Sequence, residues 1–109
     1  MSNGCPFCAP DRARILFENP LCFGLWDGFP VSPGHALVIP HRHMASFFDT
    51  TPEEKAALLE GIELAREAIC KSHQPDGFNI GVNVNAAAGQ TVFHLHVHVI
   101  PRPNILPLN

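Results

Sequence analysis

The run His94-Leu95-His96-Val97-His98-Val99 alternates histidine with apolar residues and constrains the fold more than any other feature of the chain. Successive side chains of a strand point to opposite faces, so the alternation predicts a long strand from Thr91 to Ile100. The three histidines would then share one face. The apolar residues of the other face would pack against a helix: Phe93, Leu95, Val97 and Val99. Because solvent-facing strand positions more often carry Thr, Lys or Glu, three histidines in a row indicate a functional site.

Three imidazoles on one rigid strand suit two kinds of chemistry. Neutral imidazole is a common ligand of zinc and copper, so the row could bind a metal ion. Alternatively, one ring could attack a substrate while its neighbours orient it or bind the transferred group. An imidazole with a pKa of about 6.5 is largely neutral near pH 7, and adjacent histidines disfavour its protonation further. The spacing leaves both kinds of chemistry open.

A polar segment, Gly89-Gln90-Thr91, directly precedes the histidine run, and Asn83 lies a few residues upstream. A glycine lets a ligand approach the backbone closely, and the amide and hydroxyl groups are neutral donors. These residues therefore predict a phosphate site in which hydrogen bonds replace a lysine.

Four further strands are predicted from apolar runs bounded by Pro, Gly and Asn. They cover residues 14–18, 21–27, 35–39 and 78–83. A helix begins after Thr51, where Thr51-Pro52-Glu53-Glu54 resembles a capping box with proline at the first helical position. Its predicted apolar face is Leu58, Leu59, Ile62, Ala65 and Ile69, and it should end near His73. The order of elements predicts an α+β fold, an antiparallel five-stranded sheet with one main helix.

Composition limits the class of protein. A chain of 109 residues suits a single domain, residues 1–109. Hydrophobic residues make up 46% and charged residues 16%, which excludes a disordered chain. The net charge of −3 argues against a nucleic-acid polymer as partner, although not against a small nucleotide. No leader-like run and no segment of ~18 apolar residues is visible, so we expect a cytoplasmic protein that binds no membrane.

The four cysteines fall into two groups. Cys22 and Cys70 stand alone among apolar residues and are predicted to be core residues. Cys5 and Cys8 have the Cys-x2-Cys spacing that supplies half of a tetrahedral zinc site. A redox pair would need a preceding strand, which the sequence does not supply, and two unremarkable thiols in a disordered segment are the other alternative. The residues alone do not select two more ligands among the seven histidines.

The segment Gly89 to Arg102, GQTVFHLHVHVIPR, resembles the signature of the histidine-triad (HIT) superfamily, His-φ-His-φ-His-φ-φ. Asp76 to Gly81 (DGFNIG) and Gly34 to Pro40 (GHALVIP) are similar to two further stretches of that family, and Cys5-Pro6-Phe7-Cys8 is similar to the start of its zinc-containing bacterial members. The resemblance covers roughly residues 5–102 and leaves a short extended C-terminal tail. It implies the HIT fold described above, a homodimer and no organic cofactor; the uncovered sheet edges of so small a domain also favour pairing.

The resemblance also implies a role for individual residues. His96 would attack the α-phosphorus of a nucleotide to form a nucleotidyl-histidine that water hydrolyses, and His98 would hydrogen-bond the phosphate or the departing atom. The residues implied to bind substrate are Asp27 at the ribose, Asn83, Gln90 and Thr91 at the phosphate, and Phe7 and Leu25 at the base. A structural zinc would be held by Cys5, Cys8, His43 and His94, while His35 and His41 are interpreted as loop or strand-end residues.

The function implied is a nucleotide hydrolase or nucleotidyl transferase acting on a nucleoside phosphoramidate, a dinucleoside polyphosphate or a similar mononucleotide ester. Two alternatives stand beside it. A nucleotide-binding or interaction module with little turnover would keep the fold, although it would not need the nucleophile. A catalytic metal site would use all three triad histidines as ligands.

Overall fold

The computed structural model describes residues 4–104 of the chain, so most of the expected C-terminal tail lies outside the described residues. It contains one main helix and a five-stranded antiparallel sheet, which confirms the predicted α+β fold. The elements are β1 Ile15–Glu18, β2 Cys22–Trp26, β3 Ala36–Pro40, α1 Pro52–Cys70, β4 Gly77–Val82 and β5 Val97–Arg102. The strand order is β1-β2-β3-β5-β4. No helix within residues 4–104 is long and apolar enough to cross a membrane.

Helix α1 begins as its sequence predicts. The Thr51 hydroxyl accepts a hydrogen bond from the Glu54 backbone N–H, and the Glu54 carboxylate accepts one from the Thr51 N–H, which completes a capping box. Three residues of the predicted apolar face are buried against the sheet: Leu58, Ala65 and Ile69. Leu59, however, is 67% exposed, because it lies at the margin of the helix face, beside an open groove next to the edge strand β4.

The triad strand is shorter than its alternation predicts. Continuing the β3–β5 register beyond Val38↔Val97 would place Pro40 opposite Leu95. Proline has no N–H to donate to a ladder, and the Pro40 carbonyl accepts a hydrogen bond from the His94 ring instead. Leu95 N–H donates to the Met44 carbonyl at 2.7 Å, so residues 91–96 follow an irregular path before β5 begins. The prediction that Phe93 packs against the helix was wrong for the same reason, since its side chain is 52% exposed.

The two faces of the sheet are covered by different parts of the chain. Helix α1 packs on one face over a buried cluster that includes Cys22 and Val99. Gly61 is the closest point of approach, since a Cβ there would lie 2.5 Å from Val38 Cγ1. On the other face the N-terminal segment covers a second cluster through Phe7. Cys22 is fully buried as expected, whereas Cys70 ends the helix in an exposed position and is not a core residue.

Candidate active site

A cavity of about 320 Å³ opens on the sheet face opposite helix α1. Six of the residues predicted to act in substrate binding or catalysis line it: Phe7, Leu25, Asp27, Thr91, His96 and His98. The histidines and Thr91 provide polar groups, whereas Phe7, Leu25, Phe29 and Val92 provide apolar walls. A cavity with one polar and one apolar part suits a ligand with a charged group and a flat ring.

The ring of His96 is oriented by its own backbone neighbourhood. Its Nδ1–H donates to the carbonyl oxygen of His94 at 2.9 Å, which requires the proton to be on Nδ1. The neutral ring therefore keeps its lone pair on Nε2, the atom that can attack an electrophile. The Phe7 ring lies edge-on to it with the two centroids 5.1 Å apart. In the neutral form of this tautomer, His96 Nε2 is free to act as an acceptor or a nucleophile.

His98 is held in the opposite tautomer by a chain of two hydrogen bonds. The backbone N–H of Val31 donates to His35 Nδ1 at 3.1 Å, so the proton of the neutral His35 ring must be on Nε2. That Nε2–H donates to His98 Nδ1 at 3.0 Å. The proton of His98 is consequently on Nε2, where it can be donated to a ligand. Two adjacent triad histidines therefore offer a lone pair and a donor respectively.

Burial favours the neutral forms of His98 and His35. Desolvation lowers the pKa of His98, and the neighbouring His96 and His35 lower it further. The pKa of His35 is also lowered by burial, although the Asp27 carboxylate, whose Oδ2 lies 3.3 Å from His35 Nε2, opposes the change. These three side chains lie close enough to surround a metal ion. Because the Val31 N–H requires an unprotonated Nδ1, His35 Nε2 keeps its proton and donates it to His98 Nδ1, while the Asp27 carboxylate lies beside this hydrogen bond.

Asn83 and Gln90 do not line the cavity. Gln90 is 4% exposed, and its amide group donates to the carbonyls of Ala45 and Val92 and accepts from the Asn85 N–H. The Asn83 amide donates to the Ala88 carbonyl at 2.6 Å. Both side chains therefore shape the loop that precedes Thr91, in which Asn85 adopts a left-handed φ of 73°.

Four side chains from three separate segments meet beside the cavity: Cys5, Cys8, His43 and His94. His94 Nδ1 lies 3.4 Å from Cys5 Sγ, 3.5 Å from Cys8 Sγ and 3.1 Å from His43 Nδ1. Ligand atoms bound to one tetrahedral zinc at ~2.0–2.3 Å lie about 3.3–3.8 Å apart. The ligand atoms lie within or about 0.2 Å below this range, so the group could bind a tetrahedral metal ion through two sulfur and two nitrogen ligands.

The surroundings of this group prepare it for a metal. The His94 Nε2–H donates to the Pro40 carbonyl at 2.8 Å, which leaves Nδ1 unprotonated toward the cluster. Burial lowers the pKa of His94, so its ring is neutral as a ligand must be. His43 follows Arg42, whose guanidinium donates to both oxygens of Glu54 at 2.8 and 2.9 Å. The loop bearing His43 is thereby attached to the start of helix α1.

The structure separates the three triad histidines. His94 faces the cysteines, whereas His96 and His98 face the cavity with their ring centroids 5.0 Å apart. Among residues 4–104 no group of possible ligand atoms contains all three histidines. A catalytic metal bound by the whole triad is therefore contradicted by the geometry.

Three residues near the site were not predicted from the sequence. His35 was interpreted as a strand-end residue, yet it is 2% exposed and determines the tautomer of His98. Arg14 lines the cavity while its guanidinium donates to the Trp26 carbonyl at 2.8 and 3.1 Å. Phe29 stands 93% exposed at the cavity rim. Only His35 had a usable signal, since it begins the strand that pairs with β5.

A family model and several known proteins match this chain in sequence. The HIT domain family matches residues 10–105. The adenylylsulfatase HINT3 of Arabidopsis thaliana is 40% identical over 106 residues, which cover 94% of this chain and 54% of that protein. The AP-4-A phosphorylase of Mycobacterium tuberculosis is 33% identical over 98 residues, which cover 89% of this chain and 50% of that protein. The chain thus spans about half the length of these two enzymes.

Solved structures agree in fold. A HIT family protein from Bacillus anthracis superposes with a TM-score of 0.85 at 33% identity, over 95% of this chain and 77% of that one. A zinc-bound histidine triad family protein from Mycobacterium smegmatis has a TM-score of 0.82 at 38% identity, over 97% of this chain and 80% of that one. The triad sequence, the five-stranded sheet with its single helix and these matches together show one thing: the chain belongs to the histidine-triad (HIT) family.

Proposed function

We propose that this protein is a nucleotide hydrolase or nucleotidyl transferase that works through a covalent nucleotidyl-histidine at His96. The observation that carries the proposal is the pair of opposite tautomers, a lone pair on His96 Nε2 beside a donor on His98 Nε2. The names of the relatives, an adenylylsulfatase and an AP-4-A phosphorylase, support a substrate with an activated α-phosphate. A nucleoside phosphoramidate, a dinucleoside polyphosphate or a related mononucleotide ester is the substrate class.

The reaction has two steps at the α-phosphorus. The His96 Nε2 lone pair forms a nitrogen–phosphorus bond, and the leaving group departs with the electrons of its bond to phosphorus. The His98 Nε2–H donates to a phosphate oxygen or to the departing atom, where negative charge increases. Water or another acceptor then forms a bond to phosphorus, and the bond to His96 breaks. Hydrolase and transferase differ only in this acceptor.

The remaining residues of the cavity position the nucleotide. Thr91 lines the same cavity as the two histidines, and we assign its hydroxyl to the phosphate. Asp27 accepts from the Phe29 N–H through Oδ1, and we assign its Oδ2 to a ribose hydroxyl. Phe7 and Leu25 form the wall for the base. Asn83 and Gln90 act by shaping the loop before Thr91 and do not touch the phosphate directly.

The cluster of Cys5, Cys8, His43 and His94 is proposed to hold zinc. Two thiolates and two neutral imidazoles are the ligands that zinc prefers, and the zinc-bound relative from M. smegmatis supports the choice. Bound there, the metal would supply a structural link with four protein ligands and no open position. It would join the N-terminal segment to the residues just before β5.

Two copies of the chain are proposed to pair along the edge strand β4. β4 lies at the end of the sheet, and its outer side has no partner strand among the described residues. Ile80 on β4 is 56% exposed and Leu59 on the adjacent helix 67% exposed, with an apolar groove between the two elements. An open edge with an apolar flank favours pairing with an identical edge. Ile80→Lys should give a monomer in light scattering, whereas Leu21→Lys at the far end of the sheet should not.

The catalytic proposal is tested with His96→Ala and the matched control His41→Ala. His41 is exposed and donates to the Asn19 carbonyl, away from the cavity. Each protein is incubated with an adenosine phosphoramidate, a dinucleoside tetraphosphate and adenylylsulfate, and products and histidine adducts are measured by mass spectrometry. His96→Ala should lose turnover and adduct while still binding AMP, and His41→Ala should keep both. Full turnover by His96→Ala would refute the assignment, and no product or adduct from the unmodified protein would favour a binding module.

A further inference from the structure

The N-terminal hook, Cys5-Pro6-Phe7-Cys8, joins the metal cluster to the nucleotide cavity. It belongs to no strand or helix, so no ladder of hydrogen bonds holds it in place. Its two cysteines belong to the group of possible metal ligands, and the two residues between them line the cavity. Four consecutive residues therefore serve both sites.

Phe7 is the residue through which the hook reaches the cavity. Its side chain is 8% exposed and packs in the cluster that contains Leu25 and Leu37. Its ring centroid lies 5.1 Å from that of the nucleophile His96 and 6.0 Å from that of the ligand His94. Removing Phe7 from this position would open the apolar wall of the cavity and expose the side of His96.

Metal binding would attach the hook more firmly than the packing of Phe7 and the thiol contacts do alone. The two thiols of the hook lie 3.2–3.5 Å from the rings of His94 and His43, and the Cys5 thiol also has hydrogen bonds with the Phe7 backbone and with Cys8. A thiol is a weak donor and acceptor, and Cys8 is exposed to water that competes for it. Metal–thiolate bonds would replace these weak contacts with strong ones at both ends of Phe7.

We infer that occupancy of the metal cluster controls the affinity for nucleotide by holding Phe7 as a wall of the base site. The inference rests on the proposed nucleotide site and assigns a second role to the metal. Coupling between two binding sites is reciprocal. Nucleotide should therefore tighten metal binding by the same factor by which the metal tightens nucleotide binding.

The test is a cycle of AMP binding with and without zinc. AMP affinity is measured by calorimetry on zinc-loaded protein and on protein stripped by a chelator, with a reductant present to keep both thiols reduced. For the unmodified chain, removal of zinc should weaken AMP binding on the order of tenfold, within the range of known couplings. In Phe7→Ala, which retains all four ligands, zinc removal should change AMP affinity by less than about twofold.

Leu25→Val is the matched control. Leu25 lines the same apolar wall, but it lies on β2 and is held by the sheet on both sides. This variant should retain the full dependence on zinc. Circular dichroism of the stripped proteins reports whether the domain remains folded. As a second measurement, zinc affinity is determined with and without AMP, and the tenfold coupling should recur in the unmodified chain and disappear in Phe7→Ala.

The outcomes separate the two proposals. If zinc-loaded protein does not bind AMP at all, the proposed function fails and the inference fails with it. If AMP binds equally well with and without zinc, only the inference is overturned. Equal coupling in Phe7→Ala and the unmodified chain also overturns it, including the case in which zinc acts by folding the whole domain.

Discussion

The ion pair between Arg42 and Glu54 connects the loop that bears His43 to helix α1. Its removal should lower the free energy of unfolding and weaken metal binding. The Arg42 guanidinium holds the pKa of the Glu54 carboxyl down from 4.5 to about 2, and the Thr51 N–H contributes to the same effect. Such a difference corresponds to at most about 3 kcal/mol. The Arg42 side chain is 52% exposed, so solvent screening reduces the stabilisation of the buried Glu54 carboxylate to about 1–2 kcal/mol.

The pH dependence has a definite sign. The pKa of Glu54 is lower in the folded than in the unfolded state, so the pair stabilises the fold fully above the unfolded value of about 4.5. That contribution is lost as the pH falls from 4.5 toward 2. Glu54→Gln keeps an acceptor for the Thr51 N–H, so it removes the ion pair while the capping box persists.

The assay is a double-mutant cycle of Arg42→Ala and Glu54→Gln by urea unfolding, with chelator and reductant present so that metal does not contribute. The coupling energy should be ~1–2 kcal/mol at neutral pH and fall to less than about half of that near pH 3. Zinc affinity of the single variants, measured by chelator competition, should fall about tenfold because His43 is less well positioned. A coupling energy near zero at neutral pH, or one equally large near pH 3, would refute the reasoning.

Three further predictions concern the catalytic pair and the core. His35→Phe removes the donor to His98 Nδ1, so turnover should fall roughly 10- to 100-fold while AMP affinity changes little; unchanged steady-state turnover would contradict the tautomer argument. Gly61→Ala would meet Val38, so overpacking of ~1–3 kcal/mol should outweigh the usual helix gain of about 1 kcal/mol and lower the urea midpoint; an unchanged or raised midpoint would contradict the packing argument. Because the pKa values of His35 and His98 are lowered in the folded protein, the unfolded chain takes up protons first, and the free energy of unfolding in chelator should fall below about pH 6.5. A flat profile between neutral pH and about pH 5.5 would oppose this.

The local sequence pattern was sufficient to predict the structure wherever residues that are close in sequence are also close in space. The capping box at Thr51 and the helix that follows depend on groups within one turn, so the sequence predicted both. Leu95, Val97 and Val99 are buried as their alternation indicates. The fold class followed from the order of such elements. The helix face was misjudged only at Leu59, where periodicity could not show where the sheet ends.

Residues far apart in the chain were predictable only through the family resemblance. Cys5 and His94 are 89 positions apart, and the Cys-x2-Cys spacing alone left the other two ligands open. The structure places all four ligands suggested by the resemblance within one group. Asn83 and Gln90 do not line the cavity in the structure, because their side-chain amides form hydrogen bonds with nearby backbone groups.

The local sequence pattern was sufficient to predict the helix cap at Thr51 and the burial of Leu95, Val97 and Val99. Only the tertiary structure divided the triad, with His94 at the metal group and His96 and His98 at the cavity. Pro40 ends the ladder before the strand can include His94, and the pairing of β3 with β5 brings His35 to His98 across 63 positions. Such contacts determine the tautomers, because the hydrogen-bond partner of one ring nitrogen determines which nitrogen carries the proton. That partner lies elsewhere in the chain.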